Sequence, residues 1–141
     1  MPKVSNKRTV NSPIADIFHA VLDVESYPKV LAFVREVKVL ARTEGELTAR
    51  VFVGLPALNF SYDCQITHAT PELIEIVMIK GPFKRLNASW KFASLSEKQT
   101  EITYSLDSQF SNPLMEMTAG AIFASQLNQS IRAFEDYLRN V

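Results

Sequence analysis

Leu58-Asn59-Phe60-Ser61-Tyr62-Asp63-Cys64-Gln65-Ile66-Thr67-His68 alternates without a break. Leu58, Phe60, Tyr62, Cys64 and Ile66 fall on one face, and Asn59, Ser61, Asp63, Gln65 and Thr67 on the other. Successive side chains of an extended chain point to opposite sides, so the run reads as a strand with one dry and one wet face. Such a strand belongs in an antiparallel sheet covered on one side only. The pattern returns downstream: Leu86, Ala88, Trp90 and Phe92 oppose Asn87, Ser89 and Lys91, and Ile102, Tyr104, Leu106 and Phe110 oppose Glu101, Thr103 and Asp107.

Along the whole chain, strand-like runs occupy 3–10, 35–43, 46–53, 58–68, 73–79, 84–94 and 100–110. Gly45, Gly54-Leu55-Pro56, Thr70-Pro71, Gly81-Pro82 and Glu97-Lys98 punctuate them. Ser12-Pro13 opens a helix, with serine as the expected cap and proline at the first helical position. Ile14, Ile17, Phe18, Val21 and Leu22 form its apolar stripe. Tyr27-Pro28 opens a second helical turn reaching about Phe33. Asn112-Pro113 opens a long helix to about Asn140, with Met117, Ala121, Ala124, Leu127, Ile131, Phe134 and Leu138 as its expected buried stripe. The order predicts an α+β fold. A curved seven-stranded antiparallel sheet wraps around the long C-terminal helix, the only element large enough to cover its dry face, and two short helices follow the first strand.

Composition narrows the function. The chain has 141 residues, 47% hydrophobic and 21% charged, which fits one ordered domain over 1–141. Fifteen basic residues cancel fifteen acidic ones, against DNA binding or any nucleic-acid affinity built on bulk charge. One cysteine, Cys64, excludes an internal disulfide and suits a reducing compartment. Two histidines, His19 and His68, supply a zinc site poorly. No run approaches a membrane span, and the first ten residues hold no apolar signal core.

A helix held by a concave sheet is either packed solid or hollow. An empty apolar cavity of about 300 Å³ costs on the order of 7 kcal/mol, so a hollow interior calls for a guest. Ala119, Gly120, Ala121 and Ala124 place small residues in the helix's first half. They either leave space there or let the helix sit close to the sheet. The expected lining of a hollow interior is Phe33, Val51, Val53, Leu58, Phe60, Tyr62, Trp90, Phe92, Tyr104, Leu106, Phe110, Met117 and Ala121. Tyr62, Tyr104 and the Trp90 indole offer hydrogen bonds to a ligand carbonyl. The turns at Leu55, Pro56, Ala57 and at Phe83, Lys84, Arg85 pair apolar tips with cations. That suits a portal touching a bilayer, or else both turns fold back onto the domain. No nucleophile motif, phosphate-cradling glycine loop or acid pair is visible, so the reading is non-enzymatic, with no metal and no cofactor required. Lys3, Lys7 and Arg8, or Arg35, Lys38 and Arg42, are the candidates for a basic exterior patch.

The element order is similar to the START-like helix-grip arrangement. Asp23-Val24-Glu25-Ser26-Tyr27-Pro28, Val53-Gly54, Gly81-Pro82-Phe83-Lys84-Arg85-Leu86, Trp90-Lys91-Phe92 and Phe110 before the last helix resemble the coenzyme Q-binding, polyketide cyclase/dehydrase-like family, which includes ribosome association toxins. After Tyr27-Pro28 the chain reads Lys-Val-Leu-Ala-Phe-Val, without the Pro-Trp or Gly-Cys that relatives often carry there. The resemblance implies a bound ubiquinone or related isoprenoid lipid in support of respiratory electron transfer. It also implies, as an alternative, association with the large ribosomal subunit; the cysteine usage and the first ten residues predict a bacterial cytoplasmic setting, and the apolar turns peripheral contact at the inner membrane. A small-molecule cyclase or hydrolase is a further alternative on the same scaffold.

Overall fold

The computed structural model describes residues 3–56 and 58–140; Ala57 of the expected portal turn lies outside them. Seven strands form one antiparallel sheet: β1 (Lys3–Val10), β2 (Val34–Thr43), β3 (Glu46–Leu55), β4 (Leu58–Ala69), β5 (Leu73–Lys80), β6 (Phe83–Ser96) and β7 (Gln99–Phe110). Their order is β1-β7-β6-β5-β4-β3-β2. The chain therefore crosses from one edge to the other after β1 and returns by hairpins. Gly45 turns the first hairpin at φ 77°, a conformation that a side chain would strain.

Register carries the alternation from strand to strand. Tyr62 lies opposite Val51, Ile66 opposite both Leu47 and Ile76, and Trp90 opposite Tyr104 and Ile74. One dry face results, and it takes in the apolar sides of all seven strands.

The crossing is made by α1 (Ile14–Leu22), a 3₁₀ turn (Val24–Ser26) and α2 (Tyr27–Val30), which ends sooner than expected because Leu31 is extended. Ser12 does not cap α1; its side chain makes no capping bond, and its buried carbonyl accepts from Thr100 Oγ1 at 2.8 Å. Ile17, Phe18 and Val21 are buried, with Phe18 edge-on to Phe92 at 5.3 Å.

The C-terminal helix is segmented rather than continuous. It runs as α3 (Pro113–Met115), a π turn (Glu116–Gly120), α4 (Ala121–Asn128) and α5 (Ser130–Arg139), with Gln129 at φ −89°, ψ 3° between the last two. Asn112 caps it as a side chain should, accepting from the Leu114 and Met115 N–H groups at 2.8 and 3.2 Å. The π turn takes up an extra residue and rotates the apolar stripe. Met117 is 83% exposed and Ala121 is exposed, so both leave the expected interior. Ala119, Phe123 and Ala124 are buried in their place, with Met115 packed beside them. Farther along, α5 is tied to the sheet edge by Glu135. Its buried carboxylate accepts from Arg8 Nε and Nη2 at 3.2 and 3.1 Å and from the Asn11 N–H at 3.1 Å.

Candidate functional site

The dry face and the C-terminal helix enclose one apolar chamber. Its wall comes from every layer: Val24, Tyr27, Leu31, Phe33 and Val34 from the crossing and β2; Val51, Tyr62, Cys64, Ile66, Ile76, Leu86, Ala88, Trp90, Tyr104 and Leu106 from the sheet; and Leu127, Ser130 and Phe134 from α4 and α5. The free space is about 50 Å³. At about 24 cal/mol per Å³, that is a cost on the order of 1 kcal/mol, which a domain this size carries without a guest.

Phe33, Val51, Tyr62, Trp90, Tyr104 and Leu106 of the expected lining stand in this wall. The others do not. Phe60 and Phe110 join Phe83 and Phe123 in an aromatic cluster, with Phe83 stacked on Phe110 at 4.4 Å and Phe60 edge-on to Phe110 at 5.4 Å and to Phe123 at 5.6 Å. Val53 is buried outside the wall, Leu58 is half-buried opposite Leu55, and Phe92 packs under α1. Met117 and Ala121 face outward.

The small residues of the helix's first half thus do not lie over open space. The phenylalanine cluster fills that end, and Ala119 and Gly120 let the helix sit close. Gly120 leaves room for a side chain: a Cβ there would stand 2.6 Å from the Glu116 carboxylate, which is folded back to accept the Phe110 N–H at 2.9 Å and would have to shift. The void lies instead under the second half, at Leu127, Ser130 and Phe134.

Neither apolar turn offers its large side chain to the outside. Leu55 is 7% exposed and Phe83 4%. Leu55 continues the inward parity of Val51 and Val53, and Phe83 is turned in by the register shift between Phe83 and Arg85. Pro56 and Lys84 are exposed, and Arg85 is held by Asp107 and Gln109 at 2.9 and 2.7 Å.

The chamber is uncharged. Burial pushes the Cys64 thiol up from 9.0 to about 12, and the nearby Asp63 charge adds to the rise. Burial likewise raises the phenols of Tyr27, Tyr62 and Tyr104; for Tyr27 and Tyr62, the proximity of Cys64 and of the other tyrosines adds to it. The Tyr27 hydroxyl donates to the Val21 carbonyl. The Tyr62 and Tyr104 hydroxyls and the Trp90 indole N–H make no hydrogen bond with any described residue; Tyr104 and Trp90 meet only ring to ring, at 4.7 Å. Asn128 Oδ1 is the fully buried polar side-chain atom without a partner among the described residues; the three ring donors keep some access to free space, where an acceptor can meet them. Sequence reasoning missed Phe123, Tyr27 and Phe134 as neighbours of this site. Phe123 carries a signal, since it falls four residues before Leu127 on the helical period.

The other titratable groups lie outside. His19 Nδ1 bonds the Ala15 carbonyl at 2.7 Å, and His68 Nδ1 the Thr70 hydroxyl at 2.9 Å. Asp63 is held below the usual carboxylate range by its hydrogen bonds from Arg50, at 2.8 and 3.1 Å. Of the candidate basic patch, Lys7 faces Glu101, Arg8 binds Glu135, Lys38 faces Glu36 and Arg42 faces Glu25. Among the described residues Lys3 and Arg35 have no ion pair.

Comparison with known proteins places this geometry. Residues 10–135 match the family of polyketide cyclase / dehydrase and lipid transport proteins. The ribosome association toxin RatA of Escherichia coli strain K12 is 30% identical over 134 residues, 95% of this chain and 85% of that one. The mitochondrial coenzyme Q-binding protein COQ10 of Drosophila melanogaster is 30% identical over 89 residues, 62% of this chain and 37% of that one. A START superfamily protein from Mycobacterium smegmatis superposes with a TM-score of 0.79 at 17% identity, covering 96% of this chain and 98% of that one. With the helix-grip fold, the family match and the RatA similarity each spanning most of its length, this chain belongs to the polyketide cyclase / dehydrase and lipid transport family.

Proposed function

We propose that this protein binds one uncharged apolar molecule between sheet and C-terminal helix, and that the molecule is an isoprenoid quinone or a lipid of the same chemistry. The observation that carries this reading is the set of unpaired donors, Tyr62 Oη, Tyr104 Oη and Trp90 Nε1, in a wall that is otherwise almost wholly apolar. A ring carbonyl satisfies such donors, and an alkene tail suits the rest. The similarity to a protein named for coenzyme Q binding supports the same ligand class. Cargo chemistry of this kind fits a carrier that serves respiratory electron transfer.

About 50 Å³ takes a few heavy atoms, not an isoprenoid chain. Binding therefore displaces the helix from the sheet. The π turn and the break at Gln129 give it two places to bend. Catalysis has less support. No histidine or carboxylate lines the chamber among the described residues, and its tyrosines and cysteine hold their protons far above neutral pH.

Organic extraction of the purified protein, followed by mass spectrometry, tests the proposal. A quinone or isoprenoid lipid near one per chain is the expected result; an extract without any apolar molecule, together with no uptake of added quinone, contradicts it.

A second reading rests on the similarity to RatA, a protein named for ribosome association, along nearly the whole chain. Its test is sedimentation with ribosomes at two salt concentrations. Because most strand cations are already paired, any association through them is expected to be weak and salt-sensitive.

A further inference from the structure

β2 carries a bulge at Arg35. Val34 faces Val53 and Glu36 faces Phe52, so Arg35 is the extra residue with no partner across the ladder. Bulges re-aim side chains. This one turns Arg35 over β3 and lays its guanidinium on Gly54: a Cβ at Gly54 would overlap Arg35 Nε and stand 2.8 Å from Cζ and Nη2. Val53 and Leu55 are buried, so Gly54 between them faces outward, on the side of the sheet away from the chamber. Glycine weakens a strand interior and marks a close approach there, and what approaches is this guanidinium. Arg35 nonetheless stays exposed and makes no ion pair or hydrogen bond with any described residue.

Beside the guanidinium lies an open hollow of about 450 Å³, walled by Phe52, Asn59 and Ser61 and floored by β3 and β4 at Val53 and Phe60. Register brings the wall together, with Gly54 opposite Asn59 and Phe52 opposite Ser61. Lys38 Nζ stands 5.6 Å from the centre of the Phe52 ring. The neighbouring acids are engaged: Asp63 holds Arg50 at 2.8 Å, and Glu36 faces Lys38 at 4.0 Å. The hollow thus presents a free guanidinium, an aromatic ring with an ammonium beside it, a carboxamide and a hydroxyl.

We propose that this outer hollow holds one nucleotide of single-stranded RNA, its phosphate on Arg35 and its base against Phe52. The proposal rests on the ribosome reading above and names the surface that makes the contact. A guanidinium offers paired N–H donors that match two phosphate oxygens. Asn59 and Ser61 supply further donors, and an aromatic face accepts any base. A chain without net charge meets RNA here through one preset cation instead of a broadly basic surface. Chamber and hollow open on opposite faces of the sheet, so a guest in one does not block the other.

Fluorescence anisotropy with a labelled single-stranded RNA decamer, beside sedimentation with purified ribosomes, tests the proposal. Arg35→Ala should weaken decamer binding about tenfold and lower the slope of log K against log salt by about 0.7. Gly54→Ala keeps the net charge but displaces the guanidinium, and should weaken binding to a similar degree. Lys3→Ala removes an equally unpaired cation from the opposite edge strand and should leave binding within about twofold. All three positions lie on the surface, so melting temperatures within a few degrees of wild type show that the variants are folded. Absence of decamer binding, or equal binding by wild type and either Arg35→Ala or Gly54→Ala, overturns the proposal. So does Arg35-dependent sedimentation that excess decamer fails to compete, because the occupant is then a protein. Ribosome sedimentation that neither variant moves removes this site and leaves the ribosome reading. Decamer binding lost in both variants, without any ribosome sedimentation, keeps the site and removes that reading.

Discussion

Cys64 shows how far burial alone decides reactivity. Its thiol, 2% exposed and pushed up to about 12, should resist thiol-specific reagents at pH 8 in the native state and react once urea has unfolded the chain. The same shift sets a pH dependence. A thiol raised in the fold binds its proton more tightly there, so its contribution is intact below about pH 9 and is lost as pH climbs toward about 12. The raised phenols act in the same direction above pH 10, their ordinary value. Unfolding followed by circular dichroism from pH 8 to pH 11 should show stability falling; a flat or rising profile contradicts the burial assigned here. Glu135 is a different case, a buried carboxylate with three donors from β1 and the turn after it. Glu135→Ala should cost about 1–3 kcal/mol in urea unfolding. Arg8 keeps solvent access, so the cost should stay below that of stranding a fully buried charge.

At the scale of elements, the strands were legible and the helix only in part. Period-two alternation maps directly onto the two faces of a sheet, which is why 58–68 fixes the side on which Tyr62 and Cys64 lie. The parity of Val51 and Val53 also carried Leu55 inward, a signal readable in the sequence once β3 is extended through Gly54. Phe83 was hidden, because a register shift leaves no mark in residue periodicity. The π turn was hidden for the same reason, and it moved Met117 and Ala121 outside while bringing in Phe123. Two substitutions separate these positions. Phe123→Ala should destabilise by about 3–5 kcal/mol, since its ring meets those of Phe33, Phe60, Tyr62, Phe83 and Phe110. Met117→Ala should stay within about 0.5 kcal/mol, measured by the same unfolding curves. A double-mutant cycle tests the turn itself. Gly120→Ala should gain up to about 1 kcal/mol in helix propensity when Glu116 is already alanine, and much less when the Glu116 carboxylate occupies the space.

For the molecule as a whole, the seven-stranded antiparallel sheet and the covering helix follow from the sequence pattern, whereas the strand order and the size and place of the void do not. Volume left between packed layers is a small difference between large filled volumes, and the aromatic cluster at one end settles where it falls. The proposed binding puts an uncharged guest in the chamber beneath Leu127 and Phe134. Trp90, the chain's single tryptophan, stands in that chamber's wall and so reports on it directly. Titration with a short-chain ubiquinone analogue, a quencher of indole fluorescence, should quench Trp90 emission saturably at one per chain. Ala88→Leu, which puts extra carbons into the void, should weaken the titration. Emission that declines only linearly with quinone, as in collisions from solvent, and identically in the variant, would contradict it.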